Sequence, residues 1–143
     1  MPTMNRTAAL ASTLRVSIMR LSRRLRAERD ADGLSLSQMA TLGTLDRHGP
    51  LTPRDLAEHE KVQPPSMTRI LAGLEERGLI VRTRHSTDGR AHLVSLTDAA
   101  RELIREDRRR RDVWLARRLA ELSQHEREVL RSAAAIIDRI AQG

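Results

Sequence analysis

Residues 62–80 have the sequence V-Q-P-P-S-M-T-R-I-L-A-G-L-E-E-R-G-L-I, which predicts a short helix that begins at two adjacent prolines. Proline is tolerated in the first helical turn because the amide hydrogen that it lacks would have no partner there. Apolar residues at helical spacing then predict one buried stripe, formed by Met67, Ile70, Leu71 and Leu74. Gly78 suits the left-handed conformation that ends many helices, so we expect a helix over residues 64–77.

The opposite face of this helix is small and polar. When the apolar stripe faces the core, Pro65 and Arg69 lie on the outward face of the helix, and Ser66 and Thr68 flank them. A helix with such a face fits the major groove of B-form DNA, where an arginine can bind a guanine edge or a phosphate. The alternative is that Ser66 and Thr68 serve helix initiation and that Arg69 is a solvated surface charge. The helix alone does not separate these two interpretations.

Two further helices are predicted before this one. Ser35 followed by Gln38 is the pattern of a capping box, and it predicts a helix start. The buried face of that helix consists of Met39, Leu42 and Leu45. Thr52 followed by Pro53 predicts the start of a third, short helix. The third helix and the helix that begins at the two prolines are joined by a tight turn, which is the arrangement of a helix-turn-helix unit.

A basic β-hairpin is predicted next. Two segments rich in Ile, Val and Thr, residues 79–84 and 92–96, flank a stretch with the turn signal Asp88-Gly89. The hairpin carries one acid, Asp88, against five basic or imidazole side chains, namely Arg82, Arg84, His85, Arg90 and His92. A narrow basic loop suits the DNA minor groove. The alternative is an edge hairpin that charge protects from aggregation.

The flanking segments predict dimerisation. A first helix, which we expect Gly33 to end, and the last helix each have an apolar stripe that a compact core cannot cover, so a second chain is the natural partner. A mitochondrial transit peptide is the alternative for residues 1–27, but the helical pattern continues into Glu28 and Asp30 without a cleavage-like break. We divide the chain into an N-terminal dimerisation helix (1–32), a DNA-binding core (33–97) and C-terminal dimerisation helices (98–143). The first of the C-terminal helices is expected to run to about residue 122.

Composition narrows the function classes. The 143 residues include 26 Lys and Arg against 19 Asp and Glu, a net charge of +7, which favours a polyanionic partner. The chain has no Cys, Phe or Tyr and one Trp, so it lacks the thiolates of disulfide, zinc-cysteine and redox sites. Few aromatic rings are available to stack unpaired bases, which favours duplex DNA over single strands. No apolar run is long enough to span a membrane, and we expect a cytoplasmic protein.

Two other function classes remain as alternatives. A basic amphipathic protein lying on an anionic membrane surface would fit the charge but not the hairpin or the proline-marked turn. A metal-dependent enzyme would need His85 and His92 to approach each other across the hairpin, yet no metalloprotease, phosphate-loop or nucleophile motif is present. We therefore expect no enzymatic activity, no metal and no cofactor.

Taken together, residues 33–97 resemble the winged helix-turn-helix core of the MarR (multiple antibiotic resistance regulator) family of bacterial transcription factors. The matching motifs are G-L-S-L-S-Q, H-G-P-L-T-P-R-D-L-A, the stretch quoted above, D-G-R and L-V-S-L-T. The resemblance implies a mainly α-helical homodimer with a small β-hairpin wing. It also implies that the recognition helix lies in the major groove and that the wing, residues 85–91, lies in the minor groove.

The resemblance also implies a set of DNA-binding residues. By position these are Gln63, Pro65, Ser66, Thr68 and Arg69, with Arg90 at the tip of the wing and Asp88 ordering it, while Arg82 and Arg84 complete the basic hairpin. Gln63 stands where Ser or Thr is common, a departure that bears on sequence preference. We hypothesise a repressor that binds a palindromic operator and that a small amphipathic or phenolic compound releases. The sequence does not identify the residues that bind this effector.

Overall fold

The computed structural model describes residues 2–29, 33–84 and 92–143. In these ranges six helices and two strands follow in chain order. They are α1 (Pro2–Ala27), α2 (Leu36–His48), α3 (Pro53–Glu60), α4 (Pro64–Glu76), β1 (Ile80–Arg84), β2 (His92–Leu96), α5 (Asp98–Ala120) and α6 (Gln124–Gln142). This mainly helical architecture with a small antiparallel hairpin confirms the predicted fold class.

Several element ends differ from the predicted ones. α1 ends at Ala27 and not near Gly33, because Glu28 N–H and Arg29 N–H bond to carbonyls three residues back and tighten the last turn. The remaining differences are shifts of one or two residues: α4 ends at residue 76, β1 begins at residue 80 and α5 ends at residue 120. Shifts of this size are ordinary at element ends.

The chain forms two compact units, of which one comprises residues 30–108. Its described core joins α2, α3, α4, the hairpin and the start of α5. The buried apolar side chains are Leu34, Met39, Leu42, Leu45, Leu56, Ala57, Met67, Leu71, Leu74, Leu79, Ile80, Val94, Leu96, Ala100 and Ile104. These residues confirm the predicted inner faces of α2 and α4, except that Ile70 is only partly buried.

Capping residues begin the helices of this unit as predicted. The Ser35 hydroxyl accepts a hydrogen bond from Gln38 N–H, and the Gln38 side chain accepts one from Ser35 N–H, which completes a capping box. Thr52 caps α3 through Asp55 N–H, and Pro53 takes the first helical position.

The hairpin pairs Ile80 with Leu96 at one end and Arg84 with His92 at the other. A further bridge joins it to the chain just before α3. There Leu51 N–H donates to the Val94 carbonyl at 3.2 Å, and Val94 N–H donates to the Leu51 carbonyl at 2.8 Å. The sequence pattern did not indicate this bridge, which fixes β2 beside the start of α3.

The other unit comprises residues 1–29 and 109–143. A capping box of Ser123 and Glu126 begins α6. The hydrogen bonds that Ser123 makes to Glu126 hold the pKa of this carboxyl below its ordinary value. Two guanidinium groups lie over the Trp114 ring, with Arg24 at 5.2 Å and Arg118 at 5.5 Å from the ring centroid. In the described ranges, no helix is both long enough and apolar enough to cross a membrane.

Candidate nucleic-acid interface

The turn between α3 and α4 directs the N-terminus of α4 outward. Lys61 adopts the left-handed conformation with φ +53°, and its N–H bonds back to carbonyls of α3. Val62 N–H donates to the Ala57 carbonyl at 3.1 Å, which holds the turn against α3. Gln63 then occupies the cap position of α4 without a side-chain hydrogen bond to the helix. Its amide group therefore remains available to an external partner.

The outward face of α4 carries the side chains that the sequence predicted for it. Gln63, Pro65, Thr68 and Arg69 are exposed, and Ser66 is half-buried. The Thr68 hydroxyl donates to the Pro64 carbonyl at 3.0 Å. Arg69 makes no ion pair with any residue that the structure describes. The face is thus small and polar, with one uncompensated guanidinium.

Gly73 leaves room beside α4 for the Gln38 side chain of α2. A Cβ atom at Gly73 would lie 2.6 Å from Nε2 of Gln38. A side chain at position 73 would therefore require the end of the Gln38 side chain, which takes part in the capping box of α2, to shift. This contact places the start of α2 beside the second half of α4.

A cleft of about 630 Å³ adjoins the N-terminus of α4. Its walls come from α3, the turn and α4, and they include two cations, Arg54 and Lys61. Arg54 forms only a loose, highly exposed pair with Glu58, at 3.7 Å. Neither cation was among the predicted site residues. A signal was present, because Lys61 is the one lysine of the chain and directly precedes the V-Q-P-P turn.

The two predicted arginines of β1 have different surroundings. Arg82 Nε lies 2.7 Å from Oε2 of Glu75, in the last turn of α4. Arg84 is exposed and makes no ion pair with any residue of the described ranges. Asp88, Arg90 and the other residues of the predicted wing, 85–91, lie outside the described residues.

Two observations in the described ranges concern the histidines and possible metal ligands. The rings of His48 and His59 lie with their centroids 4.5 Å apart. No group of three or more His, Cys, Asp or Glu side chains among the described residues could hold a metal ion. His85, which the enzyme alternative requires, lies outside the described residues.

Comparisons with known proteins point to one family. The family model described as MarR family matches residues 34–92. An uncharacterised HTH-type transcriptional regulator of Mycobacterium bovis is 49% identical over 127 residues, 89% of each chain. The HTH-type transcriptional repressor MdtR of Bacillus subtilis is 30% identical over 93% of this chain and 86% of its own. The crystal structure of a transcriptional regulator protein from Pseudomonas aeruginosa, 36% identical, superimposes with a TM-score of 0.86 over 97% of both chains.

Proposed function

The chain belongs to the MarR family of HTH-type transcriptional regulators, and we propose that it is a homodimeric repressor that occupies a palindromic operator. The observation that carries this proposal is the outward face of α4. Its side chains are small and polar, its guanidinium at Arg69 has no acidic partner among the described residues, and the end of the helix near Gln63 is open. A face of this kind can enter a major groove without steric obstruction.

Each residue of this face has a distinct part in the proposal. Arg69 binds a guanine edge or a phosphate, and Gln63 contributes an amide that can bind adenine. Ser66 and Thr68 bind phosphate or base edges with their hydroxyl groups, and Pro65 packs against the sugar-phosphate backbone. Arg54 and Lys61 line the neighbouring cleft and supply charge for a phosphate that passes there.

The hairpin supplies the minor-groove contact in this proposal. Arg84 lies toward the far end of β1 with an exposed guanidinium. We place Arg90 in the minor groove and assign Asp88 to ordering the wing, as the family resemblance implies. Narrow minor grooves have a strongly negative potential and attract arginine. Arg82, which the sequence assigned to the DNA-binding residues, does not bind DNA in this proposal, because its guanidinium pairs with Glu75.

Unpartnered apolar faces on α1 and α6 support the dimer. α6 has no buried residue, although its apolar side chains Val129, Ile136 and Ile140 lie on one face. On α1 the exposed large apolar residues are Met4, Leu10, Ile18, Met19 and Leu21. Apolar surface on this scale indicates a protein partner, and a second copy would present the same helices by symmetry. We therefore assign these helices, with the outer part of α5, to dimerisation.

Operator geometry follows from the two-fold symmetry. Two recognition helices that enter successive major grooves on one face of DNA require half-sites about 10 bp apart. We further propose, on the family resemblance, that a small amphipathic or phenolic compound releases the DNA. A change in operator affinity on adding members of a panel of such compounds would test that part separately.

A footprint combined with one matched pair of variants tests the proposal. The protein should protect an inverted repeat in a promoter fragment. Arg69→Ala should lower operator affinity by about thirtyfold or more, because a bidentate guanine contact contributes about 1–3 kcal/mol and the dimer makes two. Arg105→Ala is the control, since Arg105 is also exposed but lies on α5 in an ion pair with Glu102. Absence of a protected repeat, or equal affinities of the two variants, would contradict the proposal.

A further inference from the structure

We propose that Arg82 is a positioning residue and not a phosphate contact. Its ion pair with Glu75 fixes the hairpin against the last turn of α4, so that the major-groove and minor-groove elements meet DNA as one unit. This inference rests on the proposed function, because it concerns how the chain binds an operator.

The geometry of the pair favours this role. Arg82 Nε and Glu75 Oε2 lie 2.7 Å apart, and the side chains are 31% and 49% exposed. Arg82 is the middle residue of β1 and stands opposite Val94. Because side chains alternate along a strand, Arg82 lies on the same face as the buried Ile80. The arginine therefore points toward α4 and not away from it.

The backbone hydrogen bonds that tie the hairpin to α4 reach only to Leu79, just before β1, and farther along, β1 is paired with β2. Gly78 turns the chain with φ +71°, and its N–H donates to the Glu75 carbonyl at 2.9 Å. Leu79 is held on both sides, since its N–H donates to the Leu74 carbonyl at 3.0 Å and its carbonyl accepts from Thr97 N–H at 3.1 Å. The ion pair extends this attachment further along β1, toward the residues that would meet the minor groove.

The charges of the pair argue against a phosphate contact at Arg82. A phosphate-binding arginine needs a net positive charge, whereas the Glu75 carboxylate largely cancels that of Arg82 at this distance. A phosphate that approached Arg82 would also approach the carboxylate. Arg84 has no acidic partner in the described part of the chain and offers the contrasting case two residues further on.

The direction in which Glu75→Gln changes DNA affinity distinguishes the two roles. If Arg82 binds phosphate, Glu75→Gln frees its charge, removes a negative group near the polyanion and tightens binding to all DNA. If the pair positions the hairpin, the same substitution weakens operator binding and leaves non-operator binding nearly unchanged. We expect a three- to tenfold loss of operator preference, since a partly exposed ion pair contributes a few-fold effect and the dimer carries two.

The experiment uses the full chain, with the footprinted operator and a non-operator duplex of equal length, across a salt titration. Glu75→Gln and Arg82→Ala should each lower the operator preference, and the charge swap Glu75→Arg with Arg82→Glu should recover part of it. Neither single variant should change the salt dependence. Arg84→Ala is the matched control, and it should weaken binding to both duplexes and reduce the salt slope by about one for each phosphate that the arginine no longer neutralises.

Each outcome decides a separate point. Tighter or unchanged operator binding by Glu75→Gln, or a salt slope that falls with Arg82→Ala as it does with Arg84→Ala, would overturn the positioning role. If the wild-type chain shows no operator preference, the proposed function fails instead. Amide exchange of residues 80–84 in the free protein then still tests the attachment, because unchanged exchange in Glu75→Gln would show that the pair does not hold β1.

Discussion

Replacing Thr44 with valine tests the buried polar link between α2 and α3. The Thr44 side chain is almost fully buried, and its hydroxyl donates to the Glu60 carboxylate at the end of α3. The same hydroxyl accepts a hydrogen bond from Arg47 Nη2 at 3.3 Å. Valine has the same branching but no polar atom, so both charged groups would lose a partner without a large change in shape.

The expected cost follows from the type of hydrogen bond that valine removes. A hydrogen bond to a charged group contributes about 1.5–3 kcal/mol, and the lower end applies because Glu60 is only partly buried and water replaces part of the contact. Thr41→Val is the matched control, since Thr41 is also buried in α2. Its hydroxyl donates to the Ser37 carbonyl at 2.8 Å, one helical turn back. That carbonyl is also an acceptor within the helix, so we expect a change within about 0.5 kcal/mol.

Urea unfolding at one fixed protomer concentration measures the difference, because the apparent stability of the proposed homodimer depends on that concentration. Thr44→Val should be less stable than Thr41→Val by about 1 kcal/mol or more, with no change in the dependence on urea concentration. Equal losses of stability in the two variants would show that the hydroxyl of Thr44 contributes no more than a local helical contact. The reasoning would then be refuted.

Three further predictions concern the turn after α4, the start of α6 and the dimer. Gly78→Ala should lower the free energy of unfolding by about 1 kcal/mol, because Gly78 has φ +71°, which alanine adopts only with strain. Gly43→Ala within α2 is the control, and it should leave the free energy of unfolding equal or higher. Thermal unfolding of both variants measures the difference. The Glu126 carboxylate should stabilise α6 at pH values above the ordinary Glu pKa of 4.5, and this stabilisation should be lost as the pH falls through the lowered pKa of Glu126. The NMR shifts of the amides near Ser123 should therefore change over that acidic range in the wild type but not in Glu126→Gln. Ile136→Asp should produce monomers in sedimentation experiments, and Ala135→Asp, about 100° around the same helix and outside its apolar stripe, should not.

Sequence patterns that span only a few residues predicted much of the fold. A capping box needs only Ser35 and Gln38 at the correct spacing, and a proline start needs only Thr52 and Pro53, so the sequence alone is sufficient to locate them. The inner face of α4 was predictable for the same reason, since helical periodicity decides which side chains share a face. The outward exposure of Arg69 followed from the same periodicity.

Contacts between residues distant in the chain or across a turn were not predictable in this way. The bridge from Leu51 to Val94 depends on how the hairpin returns to the start of α3, which no local pattern encodes. Thr44 was recognisable as part of α2, but its partner Glu60 emerges only when α3 packs beside it. The partner of Arg82 likewise depends on the direction that Gly78 gives to the chain. Side-chain pairing of this kind requires the tertiary structure.

The distribution of ion pairs limits how much of the net charge DNA can use. In the described ranges, pairs of residues three or four positions apart compensate arginines at the end of α1 and along α5, as in Arg24 with Glu28, Arg101 with Asp98 and Arg105 with Glu102. Such pairs on a solvated helix face have little net charge to offer a phosphate. Arg69 and Arg84 lack such a partner in the described ranges and lie on the two elements proposed to meet DNA. The salt dependence of operator binding should therefore follow these few residues and not the total charge of +7.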